Sequence, residues 1–383
     1  MKYDVIVVGC GYAGAVSARI YAEKLNKKVL IIDKRNTIAG NMYDYKDEHG
    51  IYVHKYGPHI AVMNEKKVFD FLSEFTEWMP YEHRVNAEID GKEVPLPFNL
   101  NSLKTLFDNS EYEELKNILI EEYGFEKQVP ILEMLKNPNK KIASLAEYIY
   151  KKIFVDYTVK MWDKSPEDID SSVTARIPVR ISYDDRHFTH NYQVMPKNGY
   201  TELFKKMLDH PNIDLKLNTL ANNILKIDFA NKKIFCNEES FNGNLVYTGP
   251  IDELLEYKFG VLPYRSLNFV IEQQNKNYIQ STAVLNWPDK RPATRRTEMK
   301  RLMQQKIMDV TTTITEFPGE FKIDDIIFGE PYYPVLNKKN MELYYKYKNQ
   351  IDEFDKIKLV GRLAEYKYYN MEAVIKTAIE RFE

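Results

Sequence analysis

Six residues near the N-terminus could hold a phosphate: Gly9-Cys10-Gly11-Tyr12-Ala13-Gly14. They follow the apolar run Val5-Ile6-Val7-Val8 and precede a second run, Val29-Leu30-Ile31-Ile32, that ends on Asp33. A glycine turn between strand and helix leaves backbone N–H groups at a helix N-terminus, where phosphates bind. The first glycine permits a tight turn, the second lets backbone approach a pyrophosphate, and the third lets helix and strand pack closely. Asp33 falls nineteen residues after Gly14, where a carboxylate can accept from a ribose 2′-hydroxyl. The pattern predicts a dinucleotide site. An aspartate rather than an arginine at the second strand's end favours FAD or NAD over NADP. The loop Lys34-Arg35-Asn36-Thr37-Ile38-Ala39-Gly40-Asn41 adds a further glycine close by. Flavoproteins use such a loop to meet the adenosine and pyrophosphate again, which favours FAD over NAD.

The elements that must position these residues follow from periodicity. Residues 64–78 have helical spacing, with Asn64 as N-cap. Residues 86–94 read as a hairpin around Asp90-Gly91. Residues 101–163 read as several helices separated by Gly124, Pro130 and Pro138. From about 190, strands and helices alternate, with strands expected near 213–217, 245–250, 267–273, 281–286 and 310–317. A last strand near Leu359-Val360 leads through a loop to a closing helix over 370–382. The fold class expected is α/β: a discontinuous FAD-binding Rossmann-like domain with an inserted α-helical domain and a second antiparallel β-sheet domain. We assign 1–62, 190–250 and 350–383 to the first. Residues 63–80 and 100–165 form the helical domain, with a mobile lid near 163–176. Residues 81–99, 176–190 and 260–349 form the substrate sheet.

Composition narrows the function. With 383 residues the chain exceeds a typical single domain. A net charge of −2 offers no global basic field for nucleic acid or an anionic membrane. Cys10 and Cys236 give neither a disulfide framework nor metal-ligand spacing, which suits a reducing compartment. No apolar run has the length to span a bilayer, and no basic leader precedes the first strand. A soluble cytoplasmic protein without a metal site is expected. Most of the 28 tyrosines are expected in the core, with a few in the third quarter and near the C-terminus lining a polar sugar or nucleotide cleft.

Further blocks carry a resemblance. They are Tyr56-Gly57-Pro58-His59-Ile60, Tyr157-Thr158-Val159-Lys160-Met161-Trp162, Arg176-Ile177-Pro178-Val179-Arg180, Tyr183-Asp184-Asp185, Met195-Pro196-Lys197-Asn198-Gly199-Tyr200-Thr201, Thr294-Arg295, Pro331-Tyr332-Tyr333-Pro334 and Gly361-Arg362-Leu363. In order and spacing the whole chain resembles the UDP-galactopyranose mutase family of flavoenzymes. The resemblance implies conversion of a nucleotide-linked hexopyranose into its furanose without net redox change. In that chemistry N5 of reduced FAD attacks the anomeric carbon and the nucleoside diphosphate leaves. Arg176 and Arg295 match the family's diphosphate arginines, a role suited to a permanently charged multidentate donor. Tyr157 and Trp162, and less strongly Phe154, match the nucleotide-binding helix. Tyr333 and Tyr368 match hydroxyl donors to the phosphates, and Asn286 a polar residue on the cleft floor. The implied FAD set is Gly9, Gly11, Tyr12, Ala13, Gly14, Asp33, Lys34, Gly40, Asn41, His59, Ile60, Gly361, Arg362, Asn370, Met371 and Val374. A homodimer is implied as well.

The chain departs from its family around the sugar. Ala61-Val62-Met63 replaces the usual Phe-His-Thr, His187 a tyrosine, His83 an asparagine and Asn370 an aspartate. These changes suggest a glycosyl group other than plain galactose, such as a pentose or a 6-deoxy sugar. UDP-arabinopyranose and dTDP-fucopyranose therefore stand beside UDP-galactopyranose as candidate substrates. The alternative, an FAD-dependent oxidoreductase of the amine-oxidase-like type, would require an apolar substrate tunnel.

Overall fold

The computed structural model describes residues 2–155, 160 and 178–383, with Phe154 described by its backbone alone. Strands Val5–Val8 and Val29–Ile32 are apolar throughout and buried on both faces, which suits the centre of a parallel sheet covered on each side. The sheet runs Ile213–Lys216, Val29–Ile32, Val5–Val8, Asn244–Tyr247, Ile357–Leu359, every pairing parallel. Its strands come from three separated parts of the chain. Helix Tyr12–Glu23 lies on one face beside the closing helix Met371–Phe382 and helix Gly199–Leu208. Val7, Val16, Ile31, Phe204 and Ile375 belong to the core between them.

A seven-stranded sheet runs Tyr333–Pro334, Tyr264–Gln274, Thr311–Glu320, Arg295–Glu298, Val284–Asn286, Val85–Ile89, Lys92–Leu96. All its pairings are antiparallel except Val284–Asn286 with Val85–Ile89, so it is mixed rather than antiparallel throughout. The parallel pair joins strands far apart in sequence, the long connection such pairing needs. The edge hairpin turns at Asp90 and Gly91, φ 50° and 76°, left-handed at both central positions and matched to the strands' twist.

The helical unit contains Leu100–Leu106, Asn109–Tyr123 and Lys140–Ile149, each capped by an Asn or Asp side chain (Asn99, Asp108, Asn139). Leu103, Leu115, Leu119, Ile142 and Leu145 form its core. Two assignments change. Val68, Leu72 and Phe75 bury into the nucleotide-domain core, so the first part of 63–80 belongs there and not with the helices. Strand Pro178–Arg180 pairs with Gln128–Pro130, and Val179 and Ile181 join the helical core rather than the large sheet. Asn64 is not the cap of helix Lys66–Ser73, which starts after Glu65 without a side-chain cap. Its Oδ1 instead accepts the Asn191 N–H at 3.0 Å. No described helix is long and apolar enough to cross a membrane. Among the described residues no group of His, Cys, Asp or Glu could hold a metal ion.

Candidate active site

A cavity opens at the carboxyl ends of the parallel strands, where ligands of open α/β sheets bind. The three glycines act differently there. A Cβ on Gly9, which has φ +100°, would sit 2.0 Å from Thr248 Oγ1. On Gly14 it would sit 1.9 Å from the Gly9 carbonyl oxygen and 3.1 Å from Val7 Cγ1. On Gly11 it would reach nothing nearer than Gly40 Cα at 3.9 Å. Gly9 and Gly14 are small because protein presses on them, and Gly11 because it borders the cavity. Helix Tyr12–Glu23 has no side-chain cap and no acid in its first turn, which leaves its first N–H groups to an external anion. Gly40, at φ +55°, brings the 34–41 loop against the glycine turn, since a Cβ there would lie 2.8 Å from Gly11 Cα.

Asp33 is 8% exposed. Its carboxylate accepts from the N–H of Cys10 at 2.7 Å and of Arg35 at 2.8 Å while bordering the cavity. Arg35 lies 4.0 Å over the Tyr56 ring and donates to Asn41 Oδ1 at 3.0 Å. Lys34 pairs with Glu330 at 3.1 Å. On the opposite wall Gly361, at φ +103°, comes so close to the first helix that a Cβ would lie 3.0 Å from that of Ala13. Asn370 caps the closing helix by accepting from the Ala373 N–H at 2.8 Å, so the asparagine keeps a capping role without a charge.

Gly9, Gly11, Tyr12, Ala13, Asp33, Lys34, Gly40, Asn41, His59, Gly361, Arg362, Asn370, Met371 and Val374 all line this cavity. Gly14 lies beneath the turn. Ile60 packs against the nucleotide-domain core and is not part of the lining. Tyr12 borders the cavity, but its ring packs in the core, tilted against Phe204 at 4.7 Å. Sequence reasoning missed Thr219 and Thr248, which also line the wall. Each closely follows a strand of the parallel sheet, so the shared carboxyl edge of Ile213–Lys216 and Asn244–Tyr247 was the available signal.

Beside the cavity, one row crosses the large sheet: Ala87, Asn286, Arg295, Glu316 and Phe269 are successive cross-strand partners. Arg295 Nε donates to Glu316 Oε1 at 2.7 Å, and the Glu316 side chain is 2% exposed. The Asn286 Oδ1 is buried and has no hydrogen-bond partner among the described residues. Gly57, at φ +89°, lets the Tyr56–Ile60 turn settle on this row; a Cβ there would lie 3.0 Å from the Phe269 ring.

That turn is held at three points. The His59 N–H donates to His54 Nδ1 at 3.2 Å, its carbonyl accepts from the Tyr200 hydroxyl at 3.2 Å, and its Nδ1 donates to the Gly57 carbonyl at 2.9 Å. The His59 Nε2 therefore carries a lone pair. Burial first, then the charges of His54, Arg362 and Arg295, push the His59 imidazole down to about 3. The His83 and His187 rings meet edge-on at 5.7 Å, and Phe188 packs against both. Burial pushes His187 down to about 4 and His83 well below its ordinary value, with Arg295 contributing to both. Arg295 thus faces three neutral imidazoles. Tyr333 and Tyr368 stack at 5.7 Å, and the Arg362 guanidinium lies 4.8 Å over Tyr333. His59 and Arg362 also line the cavity, so the two regions share a wall.

One expectation is corrected. Ala61 and Met63 are each 1% exposed and lie in the core, because strand Ala61–Met63 alternates faces. They cannot line a sugar, which leaves Val62, opposite Gln193, as the one half-buried residue of the three. Arg176, Tyr157, Trp162 and the lid near 163–176 lie outside the described residues, as does the Phe154 side chain.

Residues 152–368 match the family model described as UDP-galactopyranose mutase, and residues 7–75 match an NAD(P)-binding Rossmann-like domain. The chain is 36% identical to the UDP-galactopyranose mutase of Mycoplasma pneumoniae, covering 100% of this chain and 96% of that one. This chain belongs to the UDP-galactopyranose mutase family. A further relative of the family member described here is the dTDP-fucopyranose mutase of Escherichia coli, 34% identical over 98% of this chain and 96% of the other. A crystal structure of reduced UDP-galactopyranose mutase shares the family fold with TM-score 0.72 at 16% identity, covering 100% of this chain and 93% of that one. A putative protoporphyrinogen oxidase from Exiguobacterium has TM-score 0.62 at 10% identity, covering 100% and 98%, a likeness of fold.

Proposed function

We propose that the chain is a flavin-dependent mutase interconverting the pyranose and furanose forms of a nucleotide-diphosphate sugar. The observation that carries this reading is the shared wall: a cavity built for a dinucleotide opens at His59 and Arg362 onto a cleft with Arg295, Asn286 and two tyrosines. The cavity fits FAD. Gly11 and the uncapped first turn suit the pyrophosphate, Asp33 the ribose, and the uncharged Asn370 end of the last helix the flavin side. When bound and reduced, FAD supplies an electron-rich N5 as the nucleophile toward the anomeric carbon.

The chain's own residues restrain the rest. Arg295, oriented by buried Glu316, holds a diphosphate in a fixed geometry. Arg176 brings a second guanidinium, and the Tyr333 and Tyr368 hydroxyls donate to the same oxygens. Neutral His83 and His187 exchange hydrogen bonds with sugar hydroxyls, neutral His59 borders the cofactor, and none adds charge near a departing anion. Asn286 offers its unpartnered Oδ1 to a donor on the nucleotide or sugar. An oxidoreductase acting on an apolar amine has no use for this charged row. The glycosyl group is galactose or a galacto-configured relative, with UDP-galactopyranose, UDP-arabinopyranose and dTDP-fucopyranose as the candidates. The family resemblance supports a homodimer, and the two unpaired cysteines a reducing cytoplasm.

Chromatography of products from dithionite-reduced protein with each of the three nucleotide sugars tests this. Furanose should form from at least one sugar under reduction and from none with oxidised enzyme. No furanose under either condition, or protein that cannot take up a yellow cofactor, refutes the reading.

A further inference from the structure

Lys160 lies in the Tyr157–Trp162 block, whose aromatic residues alone have been given a role. Its ammonium donates to the carbonyls of Trp287 at 2.8 Å and Ala293 at 2.9 Å. These carbonyls mark the two ends of the loop between strands Val284–Asn286 and Arg295–Glu298, and the Trp287 N–H closes the same hairpin on the Thr294 carbonyl at 2.8 Å. Asn286 comes immediately before this loop and Arg295 two residues after Ala293. The backbone carbonyl of Lys160 is held in turn by Arg265 Nη2 at 3.3 Å. Arg265 is 8% exposed and stands opposite Tyr333 in the sheet. A single residue is therefore tied by its side chain to the hairpin carrying Asn286 and Arg295, and by its backbone to the strand beside Tyr333.

We infer that Lys160 is a positioning residue: it fixes the Asn286–Arg295 hairpin relative to Tyr333. The inference rests on the proposed reading of the cleft as a nucleoside-diphosphate site. A lysine suits the task, because a compact ammonium on a flexible stem can donate in two directions at once. Two carbonyl dipoles converging at the mouth of one hairpin repel unless a cation lies between them. Lys160 acts on the diphosphate through Arg295 and not by touching it.

The test is a double-mutant cycle in the full-length, FAD-loaded protein, using K160M and R295K singly and together. The readouts are UDP and dTDP affinity by titration, flavin content and melting temperature. K160M should weaken binding of the preferred diphosphate by about tenfold while flavin content stays at the wild-type level. The double variant should be no more than about twofold weaker than the poorer single variant, because a residue acting through Arg295 loses little once Arg295 is altered. Propylammonium added to K160A should restore part of the affinity. Independent, multiplying effects would make Lys160 a ligand in its own right and overturn the inference, as would K160M binding like wild type or losing its flavin. Wild-type protein that binds neither diphosphate would instead overturn the functional reading, and this inference with it.

Discussion

The glycine-lined cavity and the cleft proposed for the substrate share a wall but are built on opposite plans. The cavity is made largely of backbone, and its shape depends on missing side chains: Gly9, Gly14 and Gly361 each sit where a Cβ would strike a neighbour. The cleft is made of long side chains whose charges are already placed, Arg295 on Glu316 and Arg362 over Tyr333. The first should fail when atoms are added, and the second when charge or donor geometry is removed. This difference gives each region its own signature under mutation.

The largest effect of a single substitution should come from adding atoms to the glycine turn. In Gly14→Val the Cβ alone would lie 1.9 Å from the Gly9 carbonyl oxygen. The substitution should cost about 3 kcal/mol or more and yield protein without bound flavin, read by absorbance and chemical denaturation. Retention of full yellow colour would break the comparison.

Next comes pH. His54, His59 and His187 have imidazoles pushed down to about 4, 3 and 4 in the fold, chiefly by burial, from an ordinary 6.5. The unfolded chain binds their protons near pH 6.5 while the folded chain refuses them until about pH 4 or below. Stability is therefore intact above pH 6.5 and falls as pH drops toward 4, by about 1.4 kcal/mol per pH unit for each imidazole. Melting temperatures between pH 4 and 7.5 should show this slope, and His54→Gln should flatten it.

Arg295→Lys keeps the charge and loses the fork. It should lower kcat/KM by about 10–100-fold, the worth of one charge-assisted hydrogen bond, with flavin still bound. Colour loss without a rate effect would invert the contrast between the regions. The smallest effect is expected for Asn370→Ala, which removes the cap of the closing helix and should cost about 1 kcal/mol in denaturant titration.

The same contrast explains what could be read from the residues. The glycine turn, Asp33 and the Asp90-Gly91 hairpin were legible because local backbone needs dictate residue type within a few positions. The cleft was legible through resemblance alone, since Asn286, Arg295 and Glu316 are brought together by strand register and nothing local marks them as neighbours. Glu316 went unnoticed for that reason. Ala61 and Met63 misled because three consecutive substitutions suggested one surface, whereas a strand sends alternate residues to opposite sides. Asn64 misled as a cap because its side chain had a distant partner in Asn191.

The wall formed by Gly361 and the first turn of the closing helix has a temporal consequence. Along the chain the phosphate turn comes well ahead of the Gly361 side of its cradle, so a nascent chain carries one half long before the other. A dinucleotide can be clasped only once both halves exist, and a product truncated before Ile357 would expose one half of the cradle with nothing to clasp against it.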